Sequence, residues 1–411
     1  METTRLNLST DTATHNTDWT QDLLAHRAAT LPQAINMAGA EGVISFSYGL
    51  PDEESFPAAD LSQAAAEVMS QAAPAALQYG APGPLSAYLV DFIGRDQKRT
   101  VTPANLLVTV GSSQALGLVC QLLIDKGDYI IVEAPTFLGA VRTFLNAEAE
   151  VVETPLDDEG IVIEELDKLI TDLKADGKRV KFIYTIPTFQ NPTGVTLGLE
   201  RRKALLAVAK KHQVMILEDD AYAGLIYEGE VPPWLWTLDE DDMVLHCGTF
   251  SKVLAAGLRL GWIGGPPAIV SRIAALKVDG GTSPFAGNIA AQYAKDGRLE
   301  KHILKLRDIY RRKRDRTLAG LERYMPDGAR WNTPQGGFFI WLELPESVDT
   351  VKMLRDAIAA GVNYTPGPAC FASRKGKNTI RLAFSHLTVD KIDPGLRILG
   401  EVIQRQLANG N

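Results

Sequence analysis

The stretch "MVLHCGTFSKVLAAGLRLGW", residues 243–262, begins as a continuous apolar run and then changes to small, polar and glycine residues. A short apolar run that ends at a turn signal is typical of a strand buried on both faces. Lys252 therefore lies just beyond the predicted end of a buried strand, where a lysine is unusual. The stretch predicts a parallel sheet with a polar site at the carboxyl ends of its strands.

The same succession of a short apolar run, a turn signal and a helical pattern recurs along the chain. It predicts an α/β fold in which a mainly parallel sheet lies between helices. We expect a large domain over residues 60–295 and a smaller α+β domain over residues 296–411, with a long helix around 290–325. Residues 1–45 are expected to pack on the smaller domain or on a partner subunit. The runs are "NLLVTV" (105–110), "YIIVEAP" (129–135), "VKFIYTIP" (180–187), "VMILEDD" (214–220) and "MVLHCGTF" (243–250).

Composition and charge argue against several classes of protein. The 411 residues carry a formal net charge of -8 and a pI near 5.4, so we expect no binding to nucleic acid or to a membrane surface. Three widely spaced cysteines, Cys120, Cys247 and Cys370, favour a reducing compartment and give no metal-binding pattern. The first residues lack the pattern of a secretory signal, so we expect a cytoplasmic protein with small-molecule partners.

Side chains suited to a planar, anionic cofactor follow the predicted strands. Ligands of open α/β sheets bind beyond the carboxyl ends of the strands, so residues that follow different runs are expected to meet there. The set combines a donor-rich glycine turn, an aromatic ring, an amide, carboxylates, a phenol and a lysine. Its members are Gly111, Ser112, Ser113, Gln114, Phe137, Asn191, Asp219, Asp220, Tyr222, Thr249, Ser251 and Lys252.

Two of these residues have a sharp interpretation and an ordinary one. Arg259 follows Lys252 by seven residues, and a nearby cation favours the neutral amine that forms a Schiff base with a carbonyl. The ordinary alternative is a surface salt bridge. Asp219 either pairs with a protonated ring nitrogen of a cofactor or simply caps the next helix.

The turn "GSSQAL", residues 111–116, precedes a predicted helix whose free N–H groups suit a phosphate. The alternative is an ordinary helix cap formed by Ser112 or Ser113. Thr249, Ser251 and Arg259 would add hydroxyl and guanidinium donors to the phosphate site. The sequence contains no GxGxxG and no P-loop pattern, so dinucleotide and nucleoside-triphosphate sites have no support.

An ordered set of motifs resembles the class I/II (fold type I) pyridoxal-phosphate aminotransferases over nearly the whole chain. Within them the chain is most similar to the branch of 2-aminoadipate and kynurenine aminotransferases and the effector domains of MocR-type regulators. The resemblance implies a seven-stranded sheet, pyridoxal 5'-phosphate, ping-pong transfer of an α-amino group from an L-amino acid to a 2-oxo acid, and a homodimer with shared active sites. The motifs are "SFSYGLPDEESFP" (45–57), "LQYG" (77–80), "GSSQAL", "TFQNPTG" (188–194), "EDDAY" (218–222), "GTFSKVLAAGLRLGW" (248–262), "PQGGFFIWLELP" (334–345) and "IRLAFS" (380–385).

The resemblance also implies a role for each site residue. Lys252 would form the Schiff base and shuttle the proton, Asp219 would pair with the pyridine nitrogen, and Tyr222 would act on the phenolic oxygen of the cofactor. Arg381 would bind the substrate carboxylate, in a substrate site that also includes Gly49, Asn191 and Tyr48. The other cofactor contacts would be Asn191 on the phenolic oxygen, Phe137 on the ring face, Ser112, Ser113, Thr249, Ser251 and Arg259 on the phosphate, and Tyr79 from the second subunit.

Three positions depart from the family pattern. Ala256 replaces the proline that commonly follows the lysine, which loosens a turn. Tyr48 stands where relatives often carry a second glycine beside Gly49, so its phenol reshapes the substrate pocket. An ungapped alignment places Pro32 where aminoadipate-preferring relatives can carry an arginine, which argues against a strict preference for dicarboxylic substrates.

Three alternatives stay open. Ser113 in a loose nucleophile elbow, with His386 as the base, would make a hydrolase, although Ala115 crowds that turn. A second alternative is a non-catalytic sensor, because the MocR-type regulators use this fold to sense a ligand. Against it, the roughly 40 residues before the fold are fewer than a DNA-binding domain needs. The same cofactor and fold also serve racemases, β-lyases, decarboxylases and oxidases.

Overall fold

The computed structural model describes residues 42–409, together with Leu23 and Ala25. The predicted packing of residues 1–45 therefore lies outside the described residues for most of its length. Of this segment, strand β1 (Ile44–Ser45) pairs in parallel with β12 (Val362–Asn363). The division of the chain into domains at residues 60–295 and 296–411 stays a prediction.

The central sheet confirms the predicted α/β class. Within the described residues it has eight strands in the order β2-β9-β8-β7-β6-β3-β4-β5. The five strands from β8 to β4 run parallel, whereas β9 is antiparallel to both of its neighbours and β5 is a two-residue edge strand. Without β5 the sheet is the seven-stranded one that the family resemblance implies. The strands are β2 Leu106–Thr109, β3 Tyr129–Ala134, β4 Glu150–Asp157, β5 Gly160–Ile161, β6 Val180–Thr185, β7 Met215–Asp220, β8 Val244–Thr249 and β9 Gly261–Gly264.

Helices cover both faces of this sheet because its strands are apolar on both faces. On β3, Ile130 and Val132 belong to one buried cluster while Ile131, which points to the other face, belongs to a second one. Side chains on both faces of the strand are therefore buried, which is typical of parallel sheets. The helices up to residue 294 are α1 Ala58–Leu77, α2 Gly83–Phe92, α3 Gly111–Leu123, α4 Leu138–Asn146, α5 Ile163–Ala175, α6 Leu199–His212, α7 Leu235–Leu238, α8 Pro267–Leu276 and α9 Pro284–Ala294.

The C-terminal part contains a four-stranded antiparallel sheet in the order β10-β11-β14-β13. Strand β14 carries Arg381 opposite Trp341 of β11 and Thr365 of β13. The strands are β10 Arg330–Trp331, β11 Phe339–Glu343, β13 Thr365–Pro366 and β14 Thr379–Ala383, and the helices are α10 Arg298–Tyr324, α11 Thr350–Ala360 and α12 Val389–Asn409.

The predicted long helix over residues 290–325 is wrong at its start. The structure has two helices, α9 and α10, separated by a 3-10 turn at Lys295–Gly297. Asp296 and Gly297 adopt left-handed φ values of 59° and 71° there, and a left-handed residue interrupts a right-handed helix. No helix among the described residues combines the length and the apolar character that crossing a membrane requires.

Candidate active site

Lys252 projects from a tight turn that follows β8. The turn, Ser251–Ala255, has π-helical geometry, and such turns are frequent at functional sites. The Lys252 Nζ atom donates a hydrogen bond to the carbonyl oxygen of Gly49 at 2.8 Å and lies 5.6 Å from the centroid of the Phe338 ring. The lysine that the sequence singles out therefore lies between the sheet edge and the segment around Gly49.

The surroundings of Lys252 make its amine easier to deprotonate. Burial, followed by the positive charges of Arg381 and Arg259, lowers the pKa of Lys252 to about 8, and Asp219 opposes this shift. The ordinary lysine pKa is about 10.4, so the neutral amine is far more abundant near neutral pH here than in an exposed lysine. The sequence analysis expects this effect of Arg259, because a nearby cation favours the neutral form of an amine.

Asp219 lies at the carboxyl end of β7 and its side chain is buried. Its Oδ2 atom accepts a hydrogen bond from the hydroxyl of Tyr184 at 2.8 Å, while Oδ1 has no partner among the described residues. Burial raises the pKa of Asp219 to about 6, and the Tyr184 hydrogen bond opposes this rise. A buried carboxylate oxygen without a partner is costly, so Oδ1 is suited to a ligand that brings a proton.

The alternative interpretation of Asp219 as a helix cap is wrong. The neighbouring Asp220 bonds to the backbone of the next turn instead, since its Oδ1 accepts a hydrogen bond from the backbone N–H of Ala223 at 3.0 Å. Ala223 begins the 3-10 turn Ala223–Leu225 that follows β7. The two adjacent carboxylates therefore differ in task, because one is used by the backbone and the other keeps a free oxygen.

Asn191, Tyr222 and Arg381 meet on one side of the site. Arg381 Nη1 donates to Asn191 Oδ1 at 3.1 Å, and the Asn191 side chain opposes the rise that burial causes in the pKa of the nearby Tyr222 phenol. The Phe339 ring lies at the centre of this group, with the Arg381 guanidinium carbon 4.7 Å from its centroid and the Tyr222 ring centroid at 5.7 Å. Burial raises the pKa of the Tyr222 phenol, and the Arg381 charge opposes this, so the phenol remains a hydrogen-bond donor.

Arg381 is held by the backbone and by one hydroxyl. Its Nη2 atom donates to the carbonyl oxygen of Ser47 at 2.7 Å and to Thr365 Oγ1 at 3.1 Å, while its buried Nε atom has no partner among the described residues. None of these partners carries a charge. A half-buried guanidinium with neutral partners is a strong binding group for a carboxylate.

The backbone at the start of α3 forms a cradle of glycines. Gly111 has a left-handed φ of 73°, and a Cβ atom on Gly261 would lie 2.7 Å from the Gly111 carbonyl carbon and 2.8 Å from the Ser112 nitrogen. Arg259 lies over this turn, since a Cβ atom on Gly111 would be 2.7 Å from Arg259 Nη2. The first turn of a helix carries backbone N–H groups without intrahelical partners, which suit an anion.

The cap interpretation of the "GSSQAL" turn is not borne out. The residue before α3 is Val110, which makes no side-chain cap, and Ser112 and Ser113 lie inside the first helical turn. Ser112 is half-buried and Ser113 is exposed. On β8 and the turn after it, Thr249 Oγ1 donates to Ser251 Oγ at 3.0 Å, so these two hydroxyls form a pair.

Three other predicted residues are placed less closely. Phe137 immediately precedes α4, is half-buried and packs its ring over Gly139. The Tyr48 ring makes an edge contact with the His386 ring at 6.4 Å between centroids. Tyr79 is 88% exposed, so within one chain it stands apart from the rest of the site. Pro32 lies outside the described residues.

Sequence reasoning missed two side chains at the centre of the site. Tyr184 belongs to the run "VKFIYTIP" and Phe339 to "GGFFIWLELP", and both were assigned only to strands. Inward-facing aromatic residues of a strand are usually core, so the pattern alone gives no functional signal. Tyr184 comes one residue before the end of β6, but only the structure shows that β7 and Asp219 lie beside it.

The residues present fit pyridoxal 5'-phosphate. The partnerless Asp219 Oδ1 suits a protonated ring nitrogen, Lys252 supplies an amine with a lowered pKa, and the Gly111–Gly261 cradle beside Arg259 suits a phosphate. The neighbouring side chains of Asn191 and Tyr222 suit a phenolic oxygen. The arrangement combines an amine, an electron-withdrawing partner for a ring and a guanidinium for a carboxylate.

Comparisons with known proteins agree with this fit. The family described as aminotransferase class I and II matches residues 41–399. An aromatic-amino-acid aminotransferase 1 of Thermococcus litoralis is 40% identical over 95% of this chain and 94% of its own. A 2-aminoadipate transaminase of Thermus thermophilus is 33% identical over 93% of this chain and 95% of its own. A solved structure of Pyrococcus horikoshii kynurenine aminotransferase in complex with PMP matches with a TM-score of 0.88 and 38% identity, over 94% of this chain and 98% of that one.

Proposed function

Since the chain belongs to the class I and II aminotransferases, which depend on pyridoxal phosphate, we propose that Lys252 is the residue that holds its cofactor. The enzyme transfers the α-amino group of an L-amino acid to a 2-oxo acid in two half-reactions. Family membership excludes the hydrolase alternative built on Ser113 and His386. The observation that carries the proposal is the pairing, in one site, of a lysine amine of lowered pKa with a partnerless buried carboxylate oxygen.

The bound cofactor supplies a ring that draws electrons from the substrate carbon that carries the amino group. Asp219 would keep a proton on the ring nitrogen through its free Oδ1, and Asn191 and Tyr222 would hold the phenolic oxygen. Ser112, Ser113, Thr249, Ser251 and Arg259 would hold the phosphate, and Phe137 would cover the ring face. Support for these roles comes from the hydrogen bonds, burial and cradle geometry of the same residues.

Lys252 would also move the proton at the substrate α-carbon. A lysine whose pKa is lowered to about 8 can take up and release a proton near neutral pH. Arg381 would bind the substrate carboxylate through its guanidinium, whose Nε lacks a partner and whose other partners are neutral. Gly49 belongs to the same substrate site because its carbonyl oxygen accepts the Lys252 hydrogen bond, and Tyr48 lies next to it in the chain.

The active enzyme would be a homodimer in which Tyr79 reaches the phosphate of the partner subunit. The segments around residues 77–80 and 278–285 adjoin each other, since a Cβ atom on Gly281 would lie 2.6 Å from the carbonyl oxygen of Gly80. Both segments expose large apolar side chains. Contiguous exposed apolar surface marks an interaction site. The exposed side chains are Leu77, Tyr79, Val278 and Phe285.

The three cysteines are free thiols, which supports a cytoplasmic location.

Aromatic L-amino acids are the proposed donors. The support is the 40% identity to an aromatic-amino-acid aminotransferase, together with the rings of Phe339, Tyr48 and His386 near the groups that would bind the substrate. Flat rings pack well against other aromatic rings, whereas a second carboxylate would need a second cation. A strict preference for dicarboxylic substrates is therefore not expected.

A half-reaction screen tests this proposal. Phenylalanine, tyrosine and tryptophan are each mixed with the purified enzyme, and the loss of visible absorbance of the lysine-bound cofactor is followed over time. We expect these three to react at least about tenfold faster than 2-aminoadipate or aspartate, in line with one lost ring contact or one unpaired carboxylate. The Lys252→Ala variant, reconstituted with cofactor, serves as the blank. Faster reaction with 2-aminoadipate would contradict the substrate class.

A further inference from the structure

We propose that Tyr184 is a positioning residue of the active site, whose hydroxyl fixes the Asp219 carboxylate so that Oδ1 alone meets the cofactor ring nitrogen. The inference rests on the proposed role of Asp219 and goes beyond it by naming the group that sets its orientation. Tyr184 itself is one step removed from the cofactor, since its hydroxyl contacts Oδ2 at 2.8 Å and leaves Oδ1 without a partner in the described part of the chain.

The register of the central sheet brings the two side chains together. Strands β6 and β7 are parallel neighbours, and Tyr184 lies opposite Leu217. Leu217 and Asp219 are two residues apart on one strand, so their side chains point to the same face. A tyrosine is long enough to reach diagonally past Leu217 to the carboxylate, which is how the 2.8 Å contact forms. A one-residue shift of this register would turn Tyr184 to the other face.

The core holds the Tyr184 ring in place. Its side chain is fully buried, and the Phe144 ring of α4 packs against it edge to face, at 5.2 Å between centroids and an interplanar angle of 73°. Phe144 makes a similar edge contact with Phe182 of the same strand, at 5.5 Å. A ring enclosed in this way cannot swing its hydroxyl to another acceptor, so the donor is fixed before any cofactor binds.

The other groups around Asp219 do not replace this donor. Directly opposite Asp219 on β8 is Cys247, which is buried and whose thiol is a weak donor. Burial, and then the Asp219 charge, raise the pKa of Tyr184, so its phenol keeps the proton that it donates. The titratable groups that act electrostatically on Asp219 or feel its charge are Glu133 from β3, Tyr184 from β6, Asp220 from β7, His246 and Cys247 from β8, Tyr222, and Lys252.

The hydrogen bond also favours the charged form of Asp219. Burial raises the pKa of this carboxyl to about 6, and the Tyr184 hydroxyl is the largest of the influences that oppose the rise. A donor stabilises the carboxylate more than the neutral acid, so loss of the donor raises the pKa further. A neutral carboxyl would hold the ring nitrogen proton less well than a carboxylate does.

The test compares Tyr184→Phe with wild type and with a matched control, Tyr364→Phe. Tyr364 is also a buried tyrosine, and among the residues that the structure describes its hydroxyl donates to the Thr350 carbonyl oxygen at 2.8 Å. Infrared spectra of the cofactor-free protein are recorded at a series of pH values. The carboxylic acid band of Asp219 is identified as the one that Asp219→Asn removes, and its midpoint is measured. We expect Tyr184→Phe to move its midpoint to higher pH and to release bound pyridoxal phosphate about tenfold faster, the size of one lost hydrogen bond to a charged group. Tyr364→Phe should match wild type in both measurements.

The outcomes separate this inference from the role of Asp219. If Asp219→Asn speeds cofactor release and slows turnover while Tyr184→Phe behaves as Tyr364→Phe does, the positioning role of Tyr184 is overturned and the role of Asp219 stands. If Asp219→Asn changes neither the rate of cofactor release nor the turnover, the assigned role of Asp219 fails and this inference fails with it. If both singles are impaired, the double variant should be no worse than Asp219→Asn, because Tyr184 acts through Asp219; additive losses would contradict the inference.

Discussion

Lys252 is a lysine whose charge state is set by its position in the fold. Burial first, and then the cations Arg381 and Arg259, favour the neutral amine and bring its pKa to about 8. An exposed lysine at the same point of the sequence would keep a pKa near 10.4. The surroundings of Lys252 therefore account for an amine that loses its proton at a lower pH than an exposed lysine does.

This predicts a pH dependence for the cofactor-free protein. Below pH 8 the Lys252 amine is mostly protonated and unreactive, and its reactivity rises as the pH passes through about 8. Competitive acetylation with mass spectrometric readout measures that midpoint for each lysine. The reference is a free lysine side chain, whose pKa is about 10.4, and the Lys252 midpoint should lie about two units below it. Arg381→Gln should raise the Lys252 midpoint, and a wild-type Lys252 midpoint at the free-lysine value would contradict the account.

At the scale of elements, the site depends on how closely β9 approaches the start of α3. Gly261 begins β9, and its Cα hydrogen faces the backbone of Gly111 and Ser112. The space is too small for a methyl group, because real Cβ atoms do not come within 3.0 Å of backbone atoms. The phosphate cradle is therefore held by a contact between two elements.

Gly261→Ala should weaken the binding of pyridoxal phosphate more than it weakens the fold. The added methyl group pushes the first turn of α3 outward, with a strain of about 1–3 kcal/mol, and a misplaced turn loses several phosphate hydrogen bonds at once. We expect the dissociation constant, from fluorescence titration, to rise at least about tenfold. Gly257→Ala, which has no atom within 4 Å of the added Cβ, should bind as wild type does. Equal affinity in both variants would remove the cradle from the phosphate site.

The sequence predicted the elements that obey simple periodicity and missed those that do not. The five apolar runs from β2 to β8 are strands as expected. Strand β4 was missed because its sequence, "EVVETPLD", carries charged residues and a proline, and β9 was missed because "GWIG" is short and glycine-rich. The break between α9 and α10 was missed because Asp296 adopts a left-handed conformation, which the helical pattern of the sequence does not signal.

The sequence could indicate those candidate site residues that lie at the carboxyl end of a predicted strand. Asp219 lies at the end of β7, and Thr249 and Lys252 lie at the end of β8 and just after it. They come together because the carboxyl ends of these neighbouring parallel strands lie at one edge of the sheet. Tyr184 and Phe339 were not predictable, since their function depends on which strand lies beside them. That information is in the sheet order and register, which a single sequence does not display.

At the scale of the whole molecule, the exposed pair of segments around Tyr79 and Val278 predicts a dimer. Sedimentation velocity should give a particle of twice the 44.7 kDa chain mass. Tyr79→Phe should leave that mass unchanged and speed cofactor release, because the lost hydroxyl would reach the partner's phosphate. Tyr324→Phe, on the long helix α10, is the control and should change neither. An active monomer would contradict the shared site.

The central claim is that Lys252 holds the cofactor, and one measurement addresses it directly. Sodium borohydride fixes a lysine-bound pyridoxal phosphate to the chain irreversibly, and peptide mass mapping then locates the modified residue. The account predicts one pyridoxyl group per chain, on the peptide that contains Lys252, and none in the Lys252→Arg variant, which keeps a positive charge but lacks a primary amine. A label on a different lysine, or an unmodified Lys252 peptide from fully active enzyme, would contradict it.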